Sequence, residues 1–527
     1  MYDILIKNGK IISGLGNPWY YGDIAIKNNN IVKISRFSKE MAASKIIDAK
    51  GFYVAPGFID GHSHSDLFIL TNPLAEQKIM QGVTTENVGM DGMSVAPIDE
   101  INIETWKKHL SGLDGNPEIK WNWRSFSDYL NVIARAKPSD NITSYVGLGT
   151  IRLKILGMTD REANEDEINE MKNAIIQSME AGARGLSAGL VYPPGSYQTS
   201  SEIIKLVKTI KEYNGVFNVH IRNESNHIIP SIREMIEIGK KSEIPVIITH
   251  FKVMGRGNWG LSEEAINLIN NSRQEGIDIT FEQYPYNACS TMLHAVIPPW
   301  YHAYGSEKLI QSLIEDKELI KKDMQNRLDW ENYSIISGWK NIYVSSVENK
   351  KNKIFEGKSI TEIASMRNIS DPADAAMTLL AEEELAVGMI AYCINENEVV
   401  NIMNHPSVSF ITDGLLGGKP HPRVYGTFPR ILGRYVRDKK AISLEEAIRK
   451  MTSLPAEKLR LKNKGRIEEN FDADITIFDL ENILDKATYE NPRQFPSGIE
   501  WVLVNGKVVV EKGRHTGARP GKVIKNR

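Results

Sequence analysis

The sequence is short of cysteine, of long apolar runs and of unbalanced charge. It has two cysteines in 527 residues, Cys289 and Cys393, which excludes a disulfide framework and favours a reducing cytoplasm. No apolar run reaches the ~18 residues of a membrane-spanning helix, and the first residues, MYDILIKNGKIISG, lack the apolar core of a signal peptide. A net charge of −2 excludes a general nucleic-acid binder, which needs a basic face. We therefore expect a cytoplasmic protein without nucleic-acid or membrane partners.

Both ends of the chain have the alternating pattern of β-strands. Residues 2–12 and 23–34 alternate polar and apolar side chains, the second around the turn-like Asn28-Asn29-Asn30. Near the other end, residues 473–478 predict one strand, and residues 501–510 predict a hairpin that turns at Asn505-Gly506. Because neither end has a core of its own, we predict that residues 1–56 and 465–527 pair into one small β-sandwich domain.

Short apolar runs alternate with helical patterns in the middle of the chain, residues 57–464. Eight runs predict strands, at 58–64, 84–89, 142–147, 185–190, 216–220, 244–250, 277–284 and 407–413. The clearest helical patterns cover 164–181, 200–213, 228–241 and 262–274, and Ser200 or Ser201 is the expected N-cap of the second. Strands separated by helices predict an α/β fold, specifically a (β/α)8 TIM barrel.

One segment is too long for a single connection of such a barrel. Residues 285–406 contain Pro298-Pro299-Trp300, many charges and a helical pattern near 373–384. Long connections over a barrel mouth often cover an active site. We therefore predict an insertion over the barrel mouth that acts as a lid.

Four histidines and one aspartate follow predicted strands at their C-terminal ends. They are His62, His64, His220, His250 and Asp413, and this end of a barrel is where active sites are built. His62 and His64 are two residues apart on an extended segment, so their side chains point the same way. A single histidine in such a place is more often a packed residue than a ligand, but five such groups rarely share one end by chance. The pattern therefore predicts a metal centre.

Imidazole and carboxylate ligands suit Zn²⁺. An ion with an open coordination position would lower the pKa of bound water to about 7 and polarise an amide carbonyl. Asp413 would then pass a proton to the leaving nitrogen. This chemistry predicts a metal-dependent amide hydrolase.

Several motifs extend the pattern to a known family. They are VAPGFIDGHSHSD, GVTT, VHIRNES, ITHFK, YPYNACST, TDG followed by HPRVYGTFPRILGRYVRD, and TGARPG near the end. With them the sequence resembles the D-aminoacylases, which are N-acyl-D-amino-acid deacylases of the amidohydrolase superfamily. The likeness covers nearly the whole chain. The HPR–GTFPR block and TGARPG are rather specific to this branch, whereas the H-x-H pair indicates only the superfamily.

The resemblance implies an activity and a role for each matching residue. It implies hydrolysis of a small-molecule N-acyl-D-amino acid to a carboxylate and a free D-amino acid, and it is the only basis for the D preference. His220 and His250 would hold a tightly bound zinc, and His62 and His64 would line a second, weaker metal position. Asp413 would be the catalytic acid–base. The substrate would be contacted by Lys252, Tyr284, Ser290 and Arg423.

Elementary chemistry agrees with the substrate roles but leaves alternatives open. A free carboxylate needs a cation, and arginine offers a bidentate fork, while Tyr284 could donate to a developing oxyanion. From the residues alone, Tyr284 is equally a packed barrel tyrosine. Lys252 and Arg423 could instead be solvated surface charges.

One position departs from the family. Family members carry GNCG after GVTT, with the cysteine as a zinc ligand, whereas this chain has Gly89-Met90-Asp91-Gly92. Asp91 is either a ligand that replaces the thiolate, which we favour, or a loop carboxylate that bonds its neighbours. As a harder ligand it makes Mn²⁺ or another second metal more plausible. Glu86 is a weaker substitute, and Lys154 does not follow a strand end.

Two other functions compete with this one. A cyclic-amide hydrolase of the hydantoinase or dihydroorotase type shares the barrel and the H-x-H pair, but the HPR–GTFPR block counts against it. A catalytically silent scaffold would keep the barrel without its chemistry. The presence of all four histidines together with Asp413 counts against the scaffold.

Overall fold

Strands and helices alternate along most of the chain in the computed structural model, which describes residues 1–36, 42–115, 117–303, 305–327 and 329–526. The first strands are β1 Tyr2–Ile11, β2 Tyr20–Lys27, β3 Asn30–Ser35, β4 Ala43–Asp48, β5 Tyr53–Pro56, β6 Phe58–Asp60, β7 Val83–Val88, β8 Asn141–Ser144, β9 Val146–Gly147, β10 Gly185–Gly189 and β11 Val216–His220. They are followed by β12 Val246–Ile248, β13 Ile279–Gln283, β14 Ala288–Met292, β15 Ile342–Ser346, β16 Gly388–Tyr392, β17 Val408–Phe410, β18 Ile475–Phe478, β19 Ile499–Val504, β20 Lys507–Glu511 and β21 Arg514–His515.

The helices fill the connections between these strands. They are α1 Phe68–Thr71, α2 Glu76–Ile79, α3 Ile103–Asp114, α4 Phe126–Ala136, α5 Leu148–Leu156, α6 Glu165–Ala181, α7 Ser200–Val207, α8 Ile228–Ser242, α9 Leu261–Gln274, α10 Ser306–Glu315, α11 Lys317–Asn326, α12 Tyr333–Ile336, α13 Ile360–Met366, α14 Pro372–Glu382, α15 Glu396–Met403, α16 Arg423–Arg430, α17 Leu444–Met451 and α18 Ser453–Lys458. Within the described ranges, no helix is both long and apolar enough to cross a bilayer.

The strands predicted in the middle of the chain pair in parallel, as expected. One sheet has the order β6-β7-β8, and the other has the order β17-β13-β12-β11-β10-β9. The third predicted strand is divided at Tyr145, because β8 pairs with β7 while β9 pairs with β10. A parallel bridge between Ser63 and Gly414 links the segments that follow β6 and β17. The regular strands are shorter than predicted, so His62, His64, His250 and Asp413 lie in the turns beyond them.

The two chain ends share one sheet. Its order is β21-β20-β19-β18-β5-β1-β2-β3, and β4 also pairs with β1. The junction between the ends is the antiparallel pair of β5 and β18, and isoleucines of both ends pack into one apolar cluster. The predicted hairpin turn is present, because Asn505 and Gly506 both have positive φ, as a type I′ turn requires.

The long segment 285–406 has its own structure. It contains an antiparallel sheet of order β14-β16-β15 and the helices α10 to α15. The helix predicted near 373–384 is α14, which starts with Pro372 after the N-cap Asp371. The segment is therefore folded and is not a loose loop.

Local capping explains where two predicted helices begin. Asn164 caps α6 in a capping box with Glu167. The expected N-cap of α7 was wrong by one or two residues, since Thr199 and not Ser200 or Ser201 caps it, in a box with Glu202. The pairing of Thr199 with the glutamate three residues later decides the boundary.

Candidate metal centre

The turns after the parallel strands bring the predicted ligands together. His62 and His64 follow β6, Asp91 follows β7, His220 ends β11 and His250 follows β12. Asp91, His250 and Asp413 have φ values of 52°, 29° and 48°, a region that side chains other than glycine rarely adopt. Such strained backbone concentrates at functional sites, where it aims a side chain at a reacting group.

The ligand atoms form two groups that share Asp91. The first contains His62, His64, Asp91 and Asp413, and the second contains Asp91, His220 and His250. One oxygen of Asp91 lies 3.6 Å from His62 Nε2, 3.5 Å from His64 Nε2 and 3.9 Å from His220 Nδ1. Its other oxygen lies 3.6 Å from His250 Nε2. Asp91 therefore stands between two pairs of imidazoles, as a carboxylate bridging two ions would.

The donor atoms of these groups fit a metal. Asp91 Oδ1 and both ring nitrogens of His220 are buried and have no hydrogen-bond partner among the described residues. Buried polar atoms are normally paired, so unpaired ones call for a bound ion or other ligand. Imidazole nitrogens and carboxylate oxygens are ligands that zinc accepts in tetrahedral or five-coordinate sites. His62 and His64 would face one ion, and His220 and His250 the other.

Charge in the centre is balanced by close pairs. Burial lowers the pKa of His62 and His64, but Asp91 and Asp413 outweigh it and raise these values to about 9 and about 10. Burial raises the pKa of Asp91, but His62, His250 and His220 hold it well below its usual value. Burial also raises the pKa of Asp413, but Arg423 and the imidazoles hold it well below its usual value. Positive charge on a metal would take over the role of these ring protons.

Glu224 contacts both imidazoles of the second group, His220 and His250. Its carboxylate lies 3.4 Å from His220 Nε2 and 3.1 Å from His250 Nδ1, and it forms a close ion pair with Lys252. Burial raises the pKa of Glu224, but Lys252, His250 and His220 lower it to about 2. An outer carboxylate of this kind fixes the orientation of metal-binding imidazoles.

Glu224 was missed by the sequence analysis. The available signal was an acidic residue four positions after His220, in VHIRNES. Glu282, which lies 3.8 Å from His62 Nδ1, was missed in the same way. Glu224 follows His220 by four positions, and Glu282 precedes Tyr284 by two. Only the fold shows that both carboxylates face the imidazoles.

The predicted substrate residues adjoin the metal groups. Arg423 is fully buried, and its Nη1 lies 3.0 Å from Asp413 Oδ2. Its guanidinium stacks 4.5 Å from the ring of Tyr284, whose buried hydroxyl has no hydrogen-bond partner in the ranges that the structure describes. The alternative of solvated charges is therefore wrong for Arg423 and for Lys252, which is also buried.

Ser290 is hydrogen-bonded to its neighbours through both its backbone and its side chain. Its carbonyl accepts a hydrogen bond from Arg423 Nη2, and its hydroxyl donates to the carbonyl of Met389. The hydroxyl proton is therefore used in the sheet formed by β14 and β16. The contact with Arg423 places Ser290 beside the predicted substrate residues.

A residue of the insertion reaches the centre. Glu331 lies in one group with His220 and Glu224, and it accepts a hydrogen bond from the backbone N–H of Glu224. Burial, together with the charge of Glu224, raises the pKa of Glu331 to about 7. The segment 285–406 therefore contributes a side chain to the surroundings of His220.

Comparisons with known proteins agree with this geometry. The Amidohydrolase family profile matches residues 376–510. A D-aminoacylase from Alcaligenes xylosoxydans xylosoxydans is 31% identical over 524 residues, covering 99% of this chain and 97% of the relative. An N-acyl-D-glutamate deacylase from Bordetella bronchiseptica, crystallised with zinc and a phosphonate mimic of the tetrahedral intermediate, has a TM-score of 0.85 at 28% identity over 99% of each chain. A D-aminoacylase structure with a binuclear metal centre has a TM-score of 0.84 at 30% identity over 100% of each chain. This chain belongs to the family of D-aminoacylases and N-acyl-D-amino-acid deacylases within the amidohydrolases.

Proposed function

We propose that the protein hydrolyses the amide bond of N-acyl-D-amino acids at a centre of two metal ions. The observation that carries the proposal is Asp91, which stands between the imidazole pair His62–His64 and the pair His220–His250. Asp413 lies 3.5 Å from His62 and 3.3 Å from His64, at the position a catalytic carboxylate needs. Metal ions bound here would polarise the amide carbonyl and supply hydroxide at neutral pH.

Asp413 is the proton carrier of the proposed reaction. It accepts a proton from the attacking water and donates it to the leaving nitrogen, because an amide nitrogen cannot leave as an anion. Arg423 holds one carboxylate oxygen of Asp413 and leaves the other directed at the imidazoles. The ion pair therefore fixes the direction of proton transfer.

Arg423, Lys252, Tyr284 and Ser290 form the proposed substrate wall. A substrate carboxylate requires cations at a fixed distance from the scissile bond, and a guanidinium binds it through two parallel hydrogen bonds. Tyr284 has a hydroxyl free to donate to the oxyanion. We propose a substrate of D configuration because the relatives are D-aminoacylases and N-acyl-D-amino-acid deacylases. The preference would follow from how the substrate wall orients the Cα of the substrate.

The finer architecture is part of the proposal. We propose that residues 57–464 form a closed (β/α)8 barrel and that residues 1–56 and 465–527 form a β-sandwich domain. Residues 285–406 are the proposed insertion, which acts as a lid over the mouth of the barrel. The Ser63–Gly414 bridge supports closure, and Glu331 supports the lid. Two free, buried cysteines suit a reducing cytoplasm as the compartment.

Zinc is the proposed metal of the His220–His250 position, and a second Zn²⁺ or Mn²⁺ is proposed for the His62–His64 position. In Asp91→Ala we expect the bound metal to fall by at least one equivalent, measured by inductively coupled plasma mass spectrometry. Asp91→Cys, which restores the family's thiolate, should favour zinc over manganese in competition. The matched control is Glu86→Gln, because Glu86 lies 3.5 Å from Lys78 instead. Full metal content in Asp91→Ala would make Asp91 a loop residue.

A substrate screen tests the reaction itself. The zinc-loaded protein is assayed with N-acetyl-D-amino acids, their L enantiomers, an N-acyl-D-glutamate and a hydantoin. We expect turnover of the linear D substrates only. Turnover of the hydantoin alone would favour the cyclic-amide hydrolase, and a protein that binds no transition metal and turns over no substrate would favour the scaffold.

A further inference from the structure

A cavity separate from the metal centre lies at the opposite ends of the strands that carry that centre. Its volume is about 460 Å³, within the range of small-molecule sites. Its lining includes Val216, where β11 begins, Ile247 of β12, Thr280 of β13 and Ser407, which precedes β17. No residue of the metal centre lines it.

Positive charge predominates in the lining of this cavity. Four cations face it, Arg273, Arg449, Lys458 and Arg460, against two carboxylates. The carboxylates belong to Asp278 and Glu457, and both residues are exposed to solvent. Among the lining side chains, Arg and Lys therefore outnumber Asp and Glu by four to two.

Most of these cations lack an acidic partner. Within the described part of the chain, Arg449 has an ion pair, 2.7 Å from Glu446, while Arg273, Lys458 and Arg460 have no carboxylate within 4 Å. Lys458 is only 8% exposed, and its ammonium donates to the carbonyl of Phe281 at 2.8 Å and to the hydroxyl of Ser409 at 3.1 Å. Arg460 Nε is buried, and no described residue is hydrogen-bonded to it.

Burial and neighbouring cations lower the pKa values of Lys458 and of the nearby Lys450. Burial, with Lys450, Arg273 and Arg449 nearby, lowers the pKa of Lys458 to about 7 despite the opposite effect of Glu282. Burial and the charge of Arg449 lower the pKa of Lys450 to about 8, although Glu446 acts in the opposite direction. A buried cation that is not neutralised loses its proton in this way, so the positive potential is not balanced from within the protein.

We propose that this cavity binds a small anion with two or more negative charges, of the chemistry shared by phosphate monoesters and dicarboxylates. Arg273 and Arg460 present guanidinium groups that can grip such an anion through paired hydrogen bonds. A dianion would be attracted by Arg273, Lys458 and Arg460, which have no carboxylate within 4 Å among the described residues. It would also give the Lys458 ammonium an acidic neighbour in addition to Phe281 and Ser409.

The test uses the full-length, metal-loaded protein and two probes, glycerol 3-phosphate and succinate. Hydrogen–deuterium exchange localises binding, and we expect slower exchange in peptides covering residues 270–280 and 449–460. The double variant R273Q/R460Q should bind at least about tenfold more weakly, since it loses both guanidinium groups and their charge-assisted hydrogen bonds to the anion. Arg514→Gln, an exposed arginine outside the cavity, is the matched control and should bind like the wild type.

The outcomes separate the proposal from binding at the metal centre. Protection by one probe only supports the proposal and identifies the source of the anion. Three results would overturn it: protection confined to peptides of the metal centre, equal binding by the double variant, or equal protection by potassium chloride at the same ionic strength. Circular dichroism checks that the double variant is folded.

Discussion

Buried ionisable side chains lie at both ends of the parallel strands, and the pKa shifts favour charged forms at one end and neutral forms at the other. At the C-terminal ends, carboxylates lie among imidazoles, and the raised pKa of His64 and the lowered pKa of Asp91 favour the charged forms of both residues. At the N-terminal ends, Lys450 and Lys458 are shifted toward their neutral forms. The same strands thus connect a balanced cluster with an unbalanced one.

The direction of these shifts distinguishes two kinds of site. A buried group keeps its charge when an opposite charge within a few ångströms offsets the cost of removing it from water. The metal centre achieves this with its own residues, and a metal would replace protons there. The cationic cavity does not, which is why we propose that an anion from outside binds there.

The largest expected effect comes from the balanced end, in Asp413→Asn. Loss of the proton carrier should lower kcat by about 100- to 10,000-fold. The asparagine is nearly the same size, and Asp91 with four imidazoles remains, so we expect zinc content near that of the wild type. Steady-state kinetics and mass spectrometry of bound metal on the same preparation measure both quantities. Loss of metal together with activity would show that Asp413 is chiefly a ligand.

Arg423→Lys separates substrate binding from the support of Asp413. A lysine keeps the positive charge but loses the planar fork, so we expect KM for N-acyl amino acids to rise by roughly 10- to 100-fold with a smaller change in kcat. Because Arg423 also contacts Asp413, the opposite split is informative. A lower kcat at unchanged KM would mean that Arg423 acts through Asp413 and does not bind the substrate carboxylate.

The sequence was sufficient to predict the residues that share a strand-end position. His62, His64, His220, His250 and Asp413 could be grouped because parallel strands bring their C-terminal ends together. The hairpin at Asn505-Gly506 and most helix positions were predictable for a similar reason, since turn and capping chemistry are local. Strand ends were less predictable, because hydrogen bonding stops before the apolar pattern does.

Residues that act through distant contacts could not be predicted. Glu331 reaches His220 from the insertion, across more than a hundred residues, and no spacing rule connects them. The cationic cavity combines Arg273 of α9 with Arg460, which follows α18. Each is an ordinary charge in the sequence, and their shared environment arises only when four strand starts are brought together.

The smallest expected effect tests the unbalanced end. Lys458 has a pKa of about 7 in the folded protein and 10.5 as its ordinary value, so between these pH values the unfolded chain binds more protons than the folded one. The contribution of Lys458 to the free energy of unfolding therefore increases with pH across this window, by up to ~1 kcal/mol per pH unit. Lys458→Met lacks this contribution, so its melting temperature relative to the wild type should fall by about 1–4 °C between pH 7 and pH 9.

Differential scanning fluorimetry of both proteins at pH 7, 8 and 9 measures this change. Lys240→Met is the control, because Lys240 is largely exposed and its replacement should give a difference from the wild type that is independent of pH. Saturating glycerol 3-phosphate should flatten the wild-type dependence, because a bound dianion raises the pKa of Lys458. If the difference between the wild type and Lys458→Met stays constant from pH 7 to pH 9, Lys458 keeps its proton throughout, and the two ends of the strands do not differ in the way their pKa shifts indicate.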